Sequence, residues 1–140
     1  MPPEYVVMVV MRPLERARLV EQLEDLNVGR LALAGDCYRA RQMLEAGIQP
    51  DVVLVALALP DGNWTTILDL AIEKRLRAAV VVCAEFVDTA LRHEILGRAD
   101  SLLLEPYRVH EVQRILRAGA ARARLAPAGD RVRTAASAGH

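Results

Sequence analysis

Lysine is almost missing from this chain: seventeen arginines stand against one lysine, Lys74. Any chemistry that needs an ammonium side chain must therefore use that one residue. Aromatic residues are 4% of the sequence, too few for a base-stacking platform. Net charge is also missing, because 18 basic and 18 acidic residues cancel, so no global field draws the chain to nucleic acid or an anionic membrane. The two cysteines, Cys37 and Cys83, form no Cys-x-x-Cys pair, which points to free thiols in a reducing, cytoplasmic setting. No apolar run reaches the ~20 residues of a membrane span. The apolar stretch Tyr5–Met11 lacks a basic leader and a small-residue cleavage site, so it is not expected to be a signal peptide.

What is present is hydrophobic material, 53% of 140 residues, enough for one domain with a real core. It is arranged in five short apolar runs separated by helical patterns. The runs are Tyr5–Val10, Leu31–Ala34, Val52–Leu57, Ala79–Cys83 and Ser101–Leu104. Their β-branched content and lack of alternation describe strands covered on both faces. Between them, Pro13 opens a helix to about Leu26, and Asp36 can cap a second to Ala46. Asn63 or Thr65 can cap a third to about Lys74, and Asp88 starts a fourth to Leu96. Val109, Val112, Ile115 and Leu116 mark a fifth. Five βα units predict a doubly wound α/β fold with a parallel sheet, and any site is expected beyond the carboxyl ends of the strands. After Gln113 the pattern dissolves into Arg and Ala, so we expect a domain over 1–122 and a flexible tail over 123–140.

Two segments carry a family resemblance: Pro50-Asp-Val-Val-Leu-Val-Ala-Leu-Ala-Leu-Pro-Asp-Gly62 after and within the third strand, and Leu103-Leu-Glu-Pro-Tyr107 after the fifth. Over residues 4–122 the chain resembles the CheY-like receiver domain of bacterial two-component response regulators. The resemblance implies a flavodoxin-like sheet of five strands in the order 2-1-3-4-5. It also implies a phosphorylation chemistry whose parts can be sought one by one. A carboxylate must attack phosphorus, acids must hold Mg²⁺, and a lysine and a hydroxyl must meet the phosphoryl oxygens. Here the acidic pair falls at Val10 and Met11, the acceptor at Ala56, the hydroxyl at Cys83 and the lysine at Glu105. The aromatic switch position falls on Leu102, and Lys74 lies too far along the third helix to substitute. The chain thus resembles a degenerate pseudo-receiver. We expect no catalysis, no cofactor and no metal, with the apolar residues closing the old acidic pocket. With Arg after the first strand and Glu after the fifth, an Arg12–Glu105 ion pair is expected.

Other residues have bland readings. Asp61 sits in a Pro-Asp-Gly turn, where local hydrogen bonding or capping is its ordinary role. His93, His110 and His140 share no ligand spacing. Arg108, Arg114, Arg117, Arg122, Arg124, Arg131 and Arg133 suggest a solvated or partner-docking face.

The expected function is a phosphorylation-independent protein-interaction module in signal transduction, with a kinase or another regulator as partner. A homodimer through the fourth helix, fifth strand and fifth helix is expected to use Arg92, Glu94, Asp100, Glu111, Arg114 and Arg117, with Leu91, Ile95, Val109, Val112 and Leu116 as apolar material. The alternatives are a small-ligand or redox sensor in the vacated pocket near Cys83, and nucleic-acid binding through the C-terminal arginines. No membrane partner is expected.

Overall fold

A computed structural model describes residues 5–125. Its main sheet has strands β1 (Tyr5–Val10), β2 (Gly29–Ala34), β3 (Val52–Ala56), β4 (Ala79–Ala84) and β5 (Ser101–Leu104). The spatial order is β2-β1-β3-β4-β5, and every pairing is parallel. The helices are α1 (Pro13–Asp25), α2 (Cys37–Glu45), α3 (Trp64–Glu73), α4 (Thr89–Arg98) and α5 (Val109–Leu125). The expected order of strands and the five βα units are present. Sequence reading missed a two-rung antiparallel ladder between Ala58–Leu59 and Gly62–Asn63.

Local chemistry sets most boundaries. Asp36 accepts from the Arg39 amide at 2.7 Å, and Asp88 from that of Leu91 at 2.7 Å, so each caps its helix. Asn63 caps α3 in a capping box completed by Thr66. Gly62 has no room for a side chain there, because a Cβ would meet the Thr66 hydroxyl at 2.6 Å and the Cys37 sulfur at 3.0 Å. The expected tail boundary is too early: α5 runs to Leu125, with Ala120 and Ala123 buried. Alanine there is helical and core-facing, and its small size hid the apolar stripe. The rest of the expected tail lies outside the described residues.

Strands β3 and β4 are buried along their whole length. The α5 helix lies directly on them: a Cβ at Gly119 would approach Ala79 at 3.1 Å and Val52 at 3.2 Å. Gln22 ties α1 to α5's side by donating to the Tyr107 carbonyl. On the other face, Arg41 of α2 pairs with Glu73 of α3 at 2.7 Å. Arg98 of α4 reaches Asp69 of α3 at 3.7 Å and sits 5.5 Å over the Trp64 ring.

Two aspartates clasp the amino ends of strands. Asp51, just before β3, accepts from the Val6 amide at 2.9 Å while its own amide donates to the Val6 carbonyl at 2.7 Å. Asp100, just before β5, does the same to Val80 at 2.7 and 2.9 Å, and Arg122 grips its other oxygen at 3.2 Å. Asp100→Ala strips the partner from a buried amide and should cost about 1–2 kcal/mol. Urea unfolding checks this, and an unchanged midpoint would show that water replaces the carboxylate.

Candidate functional site

The carboxyl ends of β1, β3 and β4 lie side by side, in a register that pairs Val10 with Val55 and Ala56 with Cys83. The side chains that close this end are Val10, Met11, Ala56 and Cys83, between 0% and 3% exposed. All four belong to one contiguous hydrophobic core. The layer contains no acid, and a thiol is its most polar group. Burial, and then the charge of Glu105, push the Cys83 thiol up from its ordinary range, so it stays protonated and inert at neutral pH.

Cys37 is the second buried thiol. Burial first, then the Asp61 carboxylate, raise it to about 12. Neither cysteine should react with a disulfide reagent in the native protein, and both should react after unfolding in urea. Fast native labelling of either, followed by absorbance, would contradict this environment.

Asp61 is not available for chemistry. Its carboxylate accepts from the Cys37 amide at 2.8 Å and the Tyr38 amide at 3.0 Å, and so caps the start of α2 from across the turn. Those bonds hold it below the usual carboxylate range. Lys74 is equally engaged, 3.0 Å from Glu45 and 3.8 Å from Glu73 in a network with Arg41. It lies past the end of α3, beside the clasp residue Asp51 at the amino end of β3, away from the carboxyl ends of the strands. Sequence reading missed this network, because i,i+4 spacing shows only its Arg41–Glu45 limb.

Glu105 follows β5, half-buried, with its amide bonded to Ala84 at 2.9 Å and a cis peptide to Pro106. The expected Arg12–Glu105 ion pair is not formed. The ion pairs among the described residues join Arg41, Lys74, Arg98 and Arg122 to acids, and this pair is not among them. Arg12 occupies the position before α1 with extended backbone leading into Pro13, makes no side-chain capping bond, and is exposed. An exposed guanidinium keeps its hydration and gains little from a surface carboxylate.

The expected interaction face is also redrawn. Arg92 and Glu94 are exposed on α4, Arg114 is exposed on α5, and Glu111 is half-buried. Asp100 is consumed by its clasp on Val80 and by Arg122. Arg117 lies on the other flank of α5, lining a groove with Tyr5, Leu26 and Val28, whereas Arg114 faces a groove along β5. Ile95, Val112 and Leu116 are core residues, which leaves Leu96 and Val109 as the exposed large apolar side chains of α4 and α5's first turn.

At the carboxyl ends of the strands, three large apolar side chains stand in solvent instead: Leu14 after β1, Tyr38 after β2 and Phe86 after β4, exposed by 93%, 64% and 77%. Leu102 packs against the core, partly buried. His93 and His110 are exposed on helices, and His140, Arg131 and Arg133 lie outside the described residues. Among the described residues no three His, Cys, Asp or Glu side chains gather to hold a metal ion. None of the described helices is long and apolar enough to cross a membrane.

No family model and no curated protein matches this sequence. Solved structures do match its shape. The receiver domain of a Francisella response regulator, 1452, has a TM-score of 0.72 at 17% identity, covering 85% of this chain and 98% of its own. The receiver domain of sensor histidine kinase PA1611 from Pseudomonas aeruginosa, with magnesium coordinated in its active-site cleft, has a TM-score of 0.69 at 18% identity over 85% of this chain and 99% of its own. The signal receiver domain of an HD domain-containing protein from Pseudomonas fluorescens has a TM-score of 0.72 at 20% identity over 89% of this chain and 91% of its own. At such identities the likeness shows the fold, which is that of receiver domains, and not the chemistry.

Proposed function

We propose that this protein is a receiver-like module of two-component signalling that binds a protein partner and takes up no phosphoryl group. The observation that carries the reading is the buried layer of Val10, Met11 and Ala56 where a receiver needs acids, with Cys83 where it needs a hydroxyl. Phosphoryl transfer to a side chain requires a nucleophile in line with phosphorus and a cation on the equatorial oxygens. Apolar side chains at full burial supply neither, and they exclude the water that Mg²⁺ would carry with it. The module is then no enzyme, and its signal resides in what it touches.

The surface supports a binding role. Leu14, Tyr38 and Phe86 project from the same end of the sheet, although large apolar side chains are normally buried. Leu14 and Tyr38 stand in the first turns of α1 and α2 and Phe86 two residues beyond β4, the arrangement that places binding residues on a stiff scaffold. A redox role for Cys83 has no support in its environment, since thiol chemistry needs a lowered pKa and access.

The test has two parts. Incubation with acetyl phosphate and Mg²⁺ should leave the intact mass unchanged, and a gain of one phosphoryl group overturns phosphorylation independence. Immobilised protein should then recover the same partner from its native host with and without the phosphodonor. Leu14→Ser with Phe86→Ser should abolish that recovery while the melting temperature holds. Recovery that needs the phosphodonor, or that survives the double substitution, counts against this role for the strand-end surface. Self-association is read in the same preparation by light scattering over a hundredfold dilution, with Arg114→Glu as the control for the α4–β5–α5 face.

A further inference from the structure

Leu14 and Leu125 are the two most exposed large apolar side chains among the described residues, at 93% and 86%. They stand at opposite ends of one face. Leu14 opens α1 at the carboxyl end of the sheet, and Leu125 closes α5 at the amino end. The two helices run in the same direction, side by side. Gln22 of α1 donates to the Tyr107 carbonyl just before α5, and Leu26 and Val28 share a groove with Leu116 and Arg117. Their outer surfaces carry opposite charge. On α1 the exposed stripe runs Leu14, Ala17, Glu21 and Glu24, at the three- and four-residue steps of one helix face, with Asp25 beside it. Glu24 and Asp25 crowd a last turn that holds no basic residue, at the negative end of the helix dipole, where acids are disfavoured. On α5 the exposed stripe holds Arg114, Ala118 and Leu125, with Arg117 beside it. None of these acids and arginines takes part in an ion pair among the described residues. Arg18 lines a cleft with Glu105, and Arg122 grips Asp100, so neither belongs to the stripes.

The order of features is reversed between the helices. On α1 the leucine comes first and the acids last, and on α5 the arginines come first and the leucine last. Leu14 stands as far from Asp25 as Leu125 does from Arg114, about 16 Å along the helix. Laid antiparallel, the two stripes match at both ends at once, leucine on leucine and acid on arginine. Ala17 and Ala118 leave the middle low enough for close approach.

We propose that this face docks a second copy of the chain about a two-fold axis normal to the sheet, with α1 of each copy antiparallel on α5 of the other. A two-fold axis reverses the helix direction, as the pattern requires, and forms the contact twice. The leucines supply buried apolar area, and the charges fix register and orientation. The inference stands apart from the α4–β5–α5 face. It shares Leu14 with the partner-binding surface, so the dimer withholds that side chain from a partner.

Sedimentation equilibrium on the full chain should show a dimer that weakens with added salt. Glu24→Arg with Asp25→Arg should raise its Kd about a hundredfold, since like charges then meet in both copies of the contact, and Arg114→Glu with Arg117→Glu should do the same. The four changes together exchange the signs and should restore association. Glu24 and Asp25 lie outside the α4–β5–α5 face and at the far end of α1 from Leu14, so they separate this dimer from both other surfaces. Geometry is tested by Leu14→Cys with Leu125→Cys in one chain, where diamide should give a covalent dimer that neither single substitution gives. Within one copy these positions lie too far apart to join, and the native Cys37 and Cys83 are buried. A chain that stays monomeric up to about 1 mM overturns the proposal. So does a dimer indifferent to Glu24→Arg with Asp25→Arg, or association that the four changes fail to restore. Crosslinking of the doubly substituted chain no better than that of the single ones overturns the antiparallel register.

Discussion

Ala56→Asp should cost about 4 kcal/mol or more at pH 7, and most of that cost should disappear as the pH falls towards 4. Ala56 is 2% exposed, paired in register with Cys83, inside a layer shared with Val10 and Met11. A carboxylate there has no metal, no lysine and no hydroxyl to meet it. Burial without partners raises a carboxyl pKa by up to about 3–5 units. A rise of three units corresponds to about 4 kcal/mol between the two protonation states. The sign follows from proton counting. Between the unfolded value near 3.9 and the raised folded value, the folded state holds the extra proton, so stability falls as pH rises through that window and levels off above it. Ala56→Asn provides the control: it adds nearly the same volume, about 1–3 kcal/mol of overpacking, with no dependence on pH. Urea unfolding of the three proteins at pH 4.5 and pH 7 decides the matter. If the aspartate and asparagine variants stay parallel across both pH values, the site is wetter than its burial indicates. Added Mg²⁺ should rescue neither.

The strand ends were legible because a receiver-like parallel sheet writes its buried strands as continuous apolar runs, and Val52–Ala56 and Ala79–Ala84 are buried at every residue. Asp36 and Asn63 were legible as caps because a cap bonds within three residues of itself, and Asp88, read only as a helix start, caps its helix in the same way. What was hidden depends on contacts across the fold. An aspartate before a strand reads as a turn residue, and nothing in its neighbourhood shows that Asp51 turns to Val6 or Asp100 to Val80. Yet the two obey one rule. Val52 pairs with Val7 and Ser101 with Val81, and in each case the residue one step earlier clasps the partner one step earlier. The Arg12–Glu105 pair failed for a related reason: both residues were placed at the correct end of the sheet, but position along a strand does not fix where a long side chain goes. Arg114 and Arg117 are three residues apart, about 60° around a helix, and the crest of α5 falls between them. One faces β5 and the other β1. The Gln22–Tyr107 tie was hidden because Gln22 carries no periodic signal and meets Tyr107 across 85 residues.

Gly119→Leu should be far more damaging than its place in an Arg- and Ala-rich helix suggests, by about 3 kcal/mol. The helix rests on the sheet through this residue. A Cβ would stand 3.1 Å from the Ala79 Cβ and 3.2 Å from Val52 Cγ2, and both neighbours are buried members of central strands. Val52 is β-branched and stiff, so it cannot turn aside, and the strand beneath it is held on both edges. A leucine adds three more carbons where one already crowds, and the accommodation left is to lift α5 off β3 and β4. Gly119→Ala weighs two terms of similar size. Replacing glycine inside a helix gains about 1 kcal/mol of propensity, and the tight contact at 3.1 Å returns a comparable amount. The expected order is therefore wild type close to alanine, with leucine far below. Ala121→Leu, on the exposed side of the same helix, should be nearly neutral. Denaturant midpoints at constant slope measure all three. Leucine and alanine variants of equal stability at position 119 would mean that α5 slides along the sheet without losing contact, and that the helix is not fixed at its glycine.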